Sequence, residues 1–150
     1  MGPAICCVDE SDSSRDALRI ARRLAERLEL ELVLLNVAPP TEAPGVSAAV
    51  SGQERLHTEE VRDAQQLLAR VAQDEGLGPE VRRRVEIGPA ADRILDVCRE
   101  EQAELVVMGS RGRGELRAAL LGSVSGKVAS HAPCPCVIVP PDARERPFFS

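Results

Sequence analysis

The sequence is short of aromatic rings, of positive charge, of lysine and of long apolar runs, and each shortage excludes something. Aromatic residues make up 1% of the 150: two Phe, no Tyr and no Trp. Both Phe fall within the last three residues, so the core has to be built from Val, Leu, Ile and Ala. Base stacking on side-chain rings, the usual device for holding single-stranded nucleic acid, is not available. The formal net charge is −5, which argues against a general binder of nucleic acid or anionic membranes. The run Arg82-Arg83-Arg84 has acidic neighbours and reads as a solvated face or a strand edge. No apolar run approaches the ~20 residues needed to span a bilayer. The opening MGPAICCVDE lacks the basic-then-apolar layout of an export signal, and Cys6 stands where a myristoylation signal needs Ser or Thr. A cytoplasmic protein is expected. The five cysteines, an odd number, are then expected as thiols, with Cys6, Cys7 and Cys98 serving as small buried hydrophobes.

What the chain does contain is a repeated switch of apolar period. Ala4 to Val8, Leu32 to Ala38, Leu105 to Met108 and Val137 to Val139 are short continuous apolar runs, the pattern of buried strands. Val81, Val85 and Ile87 mark a further strand of mixed polarity, as an edge strand would be. Between the runs, apolar residues recur at helical spacing. Ala17, Leu18, Ala21, Leu24, Ala25 and Leu28 follow the helix-start text Asp9-Glu10-Ser11-Asp12-Ser13-Ser14. A longer helix runs from about Gln53 to Glu75, with Leu56, Val61, Ala64, Leu67, Leu68 and Val71 inward. Ala91, Ile94, Leu95 and Cys98 form a third stripe, and Ser123 to Ser130 a short fourth helix. The Pro-, Ala-, Gly- and Ser-rich segment 41–52 reads as a mobile loop, and 142–150 as a tail. Strands that alternate with helices and are continuously apolar predict an α/β fold: a three-layer α/β/α sandwich around an open five-stranded parallel sheet, residues 1–150 forming one domain.

In such a sheet ligands bind beyond the carboxyl ends of the strands, where strand order reverses. With an order of 3-2-1-4-5 that crevice lies between the first strand, closed by Asp9, and the fourth, closed by Gly109. The stretch GSRGRGELRAALLGSVSGKVA, residues 109–129, starts there. It is not a P-loop: only three residues separate Gly122 from Gly126, and Lys127, the one lysine of the chain, is followed by Val128 rather than a hydroxyl. Gly109 and Gly112 permit sharp turns and close approach of a ligand to the backbone. Gly122 precedes Ser123-Val124-Ser125 at a helix start, where free N–H groups and the helix dipole favour an anion. Two plainer readings stand beside these: Gly122 shapes a turn that Ser123 caps, and Asp9 is the N-cap of the first helix.

The spacing Gly109-x2-Gly112-x9-Gly122-Ser123 resembles the ATP-binding pattern of the universal stress protein family. The text ELVVMGSRGRGELRAALLGSVSGKVASHAPCPCVIV around it, the strand LLNVAP, and a first strand ending in Asp9 are similar to that family too. The resemblance covers the chain apart from the loop and the tail. It implies a Rossmann-like fold of the adenine nucleotide alpha hydrolase type and a bound ATP, with Mg2+. It also implies roles: Asp9 by the ribose or adenine; Val37 holding adenine through its backbone; Met108 and Gly109 beneath the ribose and phosphates; Gly112, Gly122, Ser123 and Ser125 around the triphosphate; Val124 donating a main-chain N–H; and Arg111 near the phosphates. The family's other branch lacks these glycines. Finally, it implies a homodimer formed through the last strand, Val137-Ile138-Val139, which would otherwise be an exposed apolar edge.

Machinery for cleaving ATP is not evident. Phosphoryl transfer needs positioned metal, charge stabilisation and an oriented nucleophile. The sequence offers no Walker lysine, no clear second carboxylate for Mg2+, and no base near the glycines. His57 and His131 read as structural or solvent-facing, and there is no Ser-His-Asp constellation. The expectation is a nucleotide-dependent stress-response sensor or regulator, at most a weak ATPase. Two alternatives stay open: a nucleotide-independent dimeric interaction module, and a thiol- or metal-responsive protein using His131, Cys134 and Cys136.

Overall fold

A computed structural model describes residues 1–40, 50–110 and 121–140, without the side chains of 50–58. The elements run β1 (Ala4–Cys7), α1 (Asp12–Leu28), β2 (Leu32–Ala38), α2 (Val50–Asp74), β3 (Arg82–Ile87), α3 (Ala90–Glu100), β4 (Leu105–Gly109), α4 (Ser123–His131) and β5 (Cys136–Val139). All strand pairs are parallel, in the order β3-β2-β1-β4-β5. The expected fold class and strand order are therefore those observed. Most boundaries fall within one residue of those expected, β1 ending at Cys7 and β5 starting at Cys136; the larger difference is at α2. Helix α2 begins at Val50, so residues 50–52 leave the expected loop; Gly52 weakens a helix without breaking it. The rest of that loop and the tail 142–150 lie outside the described residues.

The layers follow from the alternation of side chains along each strand. Ala4, Cys6 and Val8 of the β1 run, with Leu32, Leu34, Leu105 and Val107, pack against Ala17, Leu18 and Ala21 of α1 and Leu67, Leu68 and Val71 of α2. The opposite set, Ile5, Val33, Leu35, Val106 and Met108, packs against Ile94, Leu95, Val97 and Cys98 of α3 and Val128 of α4. With both faces covered, the central strands have no polar face, which is why they read as unbroken apolar runs. The first two crossovers run to one side and the third crosses to the other, so the strand order reverses between β1 and β4.

Strand β3 closes one edge, so the basic run lies on a strand edge, one of the two readings of it, and two of its arginines are paired. Arg82 pairs with Glu31 and Glu101, each at 2.7 Å. Arg84 pairs with Glu86 at 2.8 Å and Glu101 at 3.0 Å, and contacts Glu100. Arg82, followed by Arg84, holds the Glu101 carboxyl below the usual carboxylate range. Such exposed pairs contribute little stability each.

Candidate functional site

Beyond Cys7, strand β1 leaves the sheet in a turn that its own hydroxyls and carboxylate organise. Asp9 Oδ1 accepts from the Ser11 backbone N–H at 2.7 Å and from the Ser11 hydroxyl. Ser11, not Asp9, is the N-cap of α1: its Oγ accepts from Ser14 N at 3.2 Å. The N-cap reading of Asp9 is thus corrected. The residue stands two positions earlier, part-exposed at the mouth of the crevice, and fixes the cap rather than being it. The Ser14 hydroxyl, buried, donates toward the carbonyls of Asp9 and Ser11, 3.0 Å from each.

Next to this turn, strand β2 carries backbone past the end of β1. The last β1–β2 pair is Cys7 with Leu35, and Val8 N donates to Leu35 O at 2.8 Å. On the other side, Gly88 N donates to Ala38 O at 3.0 Å. Because peptide groups alternate sides along a strand, the N–H and C=O of Val37 point toward the β1 side, beyond the last β1 partner. Asn36, the single polar residue in LVLLNVA, is buried and donates through Nδ2 to Val8 O at 2.7 Å. It holds β1 and β2 in register where the crevice opens.

The far wall is built by β4 and α4. Ser110 N donates to Val139 O at 2.9 Å, Gly122 N donates to Ser110 O at 3.0 Å, and the Ser125 hydroxyl lies 3.2 Å from the carbonyls of Ser110 and Gly122. The start of α4 is therefore anchored to the end of β4. Gly122 is the N-cap of α4 and no side chain caps the helix. The first-turn N–H groups of a helix have no intrahelical partner, and they carry the positive end of the dipole.

These walls enclose a cavity of about 130 Å³ lined by Cys7, Val8, Asp9, Ser14, Leu35, Asn36, Val37, Ala90, Ile94, Met108, Gly109, Val124 and Ser125. A wider hollow of about 410 Å³ shares Asp9, Asn36 and Val37 and extends to Glu60, Asp63, Ala64 and Leu67 of α2. Ligand pockets usually hold about 300–1,000 Å³. The smaller cavity suits a ring system rather than a whole nucleotide. Among the described residues no Lys or Arg lines either space. Lys127 is turned to Asp92 of α3, 2.7 Å away, which holds the Asp92 carboxyl down.

Of the residues singled out from sequence, the smaller cavity brings together Asp9, Val37, Met108, Gly109, Val124 and Ser125. Gly122 and Ser123 stand at the adjoining helix start. Arg111 and Gly112 lie outside the described residues. Gly109 has a packing role as well: a Cβ there would overlap the Ser13 hydroxyl and stand 3.2 Å from the Ser13 carbonyl carbon and Cβ, so the first turn of α1 rests on bare backbone. The Ser13 hydroxyl is buried without a partner. Sequence reasoning missed Cys7, Val8, Ser14, Leu35, Asn36, Ala90 and Ile94 as lining. Only Asn36 carried a signal, as a lone polar residue inside a buried strand.

The metal alternative finds little here. Among the described residues no group of three or more His, Cys, Asp or Glu side chains is arranged to hold a metal ion. The His131 ring nitrogen Nδ1 sits 3.0 Å from Lys127 O.

Comparison with known proteins matches residues 1–140 to the profile of the Universal stress protein family. A universal stress protein of Methanocaldococcus jannaschii is 28% identical over 139 residues, covering 91% of this chain and 81% of its own. Among solved structures, the universal stress protein UspA of Lactobacillus plantarum superposes with a TM-score of 0.77 at 23% identity, covering 92% of this chain and 97% of that one. A universal stress protein in complex with cAMP gives 0.61 at 24%, covering 92% and 96%. One from Archaeoglobus fulgidus in complex with dAMP gives 0.57 at 19%, covering 93% and 98%.

Proposed function

The chain belongs to the universal stress protein family, and on that premise we propose that it binds ATP in the β1–β4 crevice and acts as a nucleotide-dependent sensor or regulator of the stress response. The observation that carries this reading is the start of α4, which no side chain caps, beside the same cavity that Asp9 and Val37 line. An adenine ring fits the 130 Å³ cavity, with its polar edge on the Val37 peptide and Asp9 at the ribose or base. Met108 and Gly109 lie beneath the ribose and phosphates. Gly112, Gly122, Ser123 and Ser125, with the Val124 N–H, wrap the triphosphate, and Arg111 supplies positive charge. The relatives solved with cAMP and dAMP support an adenine nucleotide as the ligand class.

Mg2+ in this reading travels with the phosphates and water, since the described residues offer it no cage. Hydrolysis is slow or absent: the Ser125 hydroxyl, 3% exposed, is engaged with two carbonyls and is no idle nucleophile. The protein in this reading is a single cytoplasmic domain whose five free thiols a reducing compartment maintains. Perchloric-acid extraction of purified protein, followed by nucleotide chromatography, is expected to release an adenine nucleotide. An empty extract, together with no binding of added ATP by calorimetry, sinks the proposal.

The same reading includes a homodimer through Val137, Ile138 and Val139. Strand β5 pairs only with β4 among the described residues, which leaves one of its edges open. Sedimentation at micromolar concentration is expected to give the mass of two chains, near twice 16.1 kDa. A single-chain mass would remove the dimer and leave the nucleotide site standing.

A further inference from the structure

The one lysine of the chain is the part of the glycine and serine stretch that the nucleotide reading leaves without a task. Lys127 lies on α4, two residues past Ser125, and its Nζ is 2.7 Å from Oδ1 of Asp92. Asp92 lies in the first turn of α3, between Ala90 and Ile94. Ala90 and Ile94 of α3, and Val124 and Ser125 of α4, all line the 130 Å³ cavity. The ion pair therefore bridges the two helices beside the wall that they jointly give the cavity.

Apolar packing gives α4 a slender hold. The helix has nine residues, of which Ser125 and Val128 are buried. Val128 joins the apolar cluster that holds Ile94 and Leu95 of α3, with Val124 part-buried against it. The start of α4 is tied to β4 through Ser110, by the Gly122 N–H and the Ser125 hydroxyl. A short helix fixed at one end can still turn about that end. Its first-turn N–H groups would then swing, and a hydrogen bond weakens steeply as its angle closes. A second tie, about one turn from the start and off the helix axis, resists this motion. The Lys127–Asp92 pair stands at that place.

We propose that Asp92 and Lys127 are positioning residues for the nucleotide: their ion pair fixes the tilt of α4 against α3 and so aims the first-turn N–H groups at the phosphates. This role rests on the nucleotide reading of the site and adds to it the residues that steady the phosphate wall. Neither side chain lines the cavity, so neither is assigned a contact with the ligand. Arg93, next to Asp92, is turned to Asp96 at 2.7 Å and does not stand in for Lys127.

Charge acting at a distance makes a different forecast. A cation near the phosphates attracts them and an anion repels them, so Lys127 would help binding and Asp92 would hinder it. Positioning needs both members of the pair. Asp92→Asn therefore separates the two accounts by sign: it strengthens ATP binding if only charge matters and weakens it if the pair aims the helix.

The test is calorimetric titration of the nucleotide-free full chain with ATP at fixed salt, with a thermal melt of each protein. Asp92→Asn and Lys127→Gln are each expected to bind ATP about two- to fivefold more weakly, equivalent to about 0.4–1 kcal/mol, the range that exposed pairs reach. The double variant is expected to be no weaker than either single one, since the pair is already broken. Lys127→Arg is expected to stay near wild type, because it keeps a cation within reach of Asp92. Both side chains are about half exposed, so none of these substitutions opens the core. Binding by Asp92→Asn that equals or exceeds wild type would overturn the assignment. So would losses that add in the double variant, or a Lys127→Arg protein as weak as Lys127→Gln. A wild-type chain that binds no ATP would instead overturn the nucleotide reading, and the role of the pair with it.

Discussion

Gly122→Val is expected to weaken ATP binding at least about tenfold, equivalent to about 1.4 kcal/mol or more, while the chain still folds. Gly122 has φ −60 and ψ 163, extended backbone that any residue adopts, so the substitution stores no backbone strain. Its N–H keeps its bond to Ser110 O and its carbonyl keeps the Gly126 N–H at 2.8 Å. What changes is the approach to the first turn of α4, where a branched side chain now stands before the free N–H groups. Valine is also a poorer N-cap than glycine, a loss of up to about 1 kcal/mol, which lowers Tm by about 2–4 °C in a domain of this size. Calorimetric titration with ATP and a thermal melt, run on the same preparations, separate the two effects. Wild-type affinity in a folded variant would show that the phosphates do not lie on α4.

Gly109→Ala is expected to act in the opposite proportion, chiefly on stability. The added methyl would overlap the Ser13 hydroxyl and press on the Ser13 backbone, so β4 and the first turn of α1 must separate. Overpacking of this kind costs about 1–3 kcal/mol, a fall in Tm of about 2–12 °C for about 150 residues. Ser13→Ala in the same chain is expected to recover part of the loss, because the displaced hydroxyl has no partner to forfeit. A Gly109→Ala protein as stable as wild type would show that the close approach does not constrain the fold.

The contrast between these two glycines marks the limit of what was legible beforehand. The family resemblance put Gly122 around the triphosphate and Gly109 beneath the ribose and phosphates, and nothing within a few residues of Gly109 hints at Ser13, which is remote in the chain and adjacent in space. The strands and helices were readable because burial on both faces writes itself locally, as apolar runs and 3.6-residue stripes. The order of strands followed from the β-α alternation and the family resemblance. Side-chain partners were not readable in this way. Asp9 could not be told from an N-cap until the Ser11 hydroxyl was seen to hold that place. Arg82 and Arg84 read as a solvated face or a strand edge, without partners, because Glu31, Glu100 and Glu101 arrive from elsewhere in the chain.

The two margins of the sheet are unlike, and that bears on how copies of the chain can add up. The β3 margin is fenced by Arg82, Arg84 and four glutamates, so a strand arriving there must displace charge already satisfied. The β5 margin is Cys136-Val137-Ile138-Val139, with no charged side chain. If both margins were sticky, each added copy would present a fresh one and assembly could run on as a ribbon. In the proposed dimer, with one margin fenced, a self-complementary contact at the other uses up the one margin of the sheet that is free of charge among the described residues, and growth along the sheet would stop at a pair. On this view the arginine fence acts as a chain terminator for assembly, however little each ion pair adds to stability.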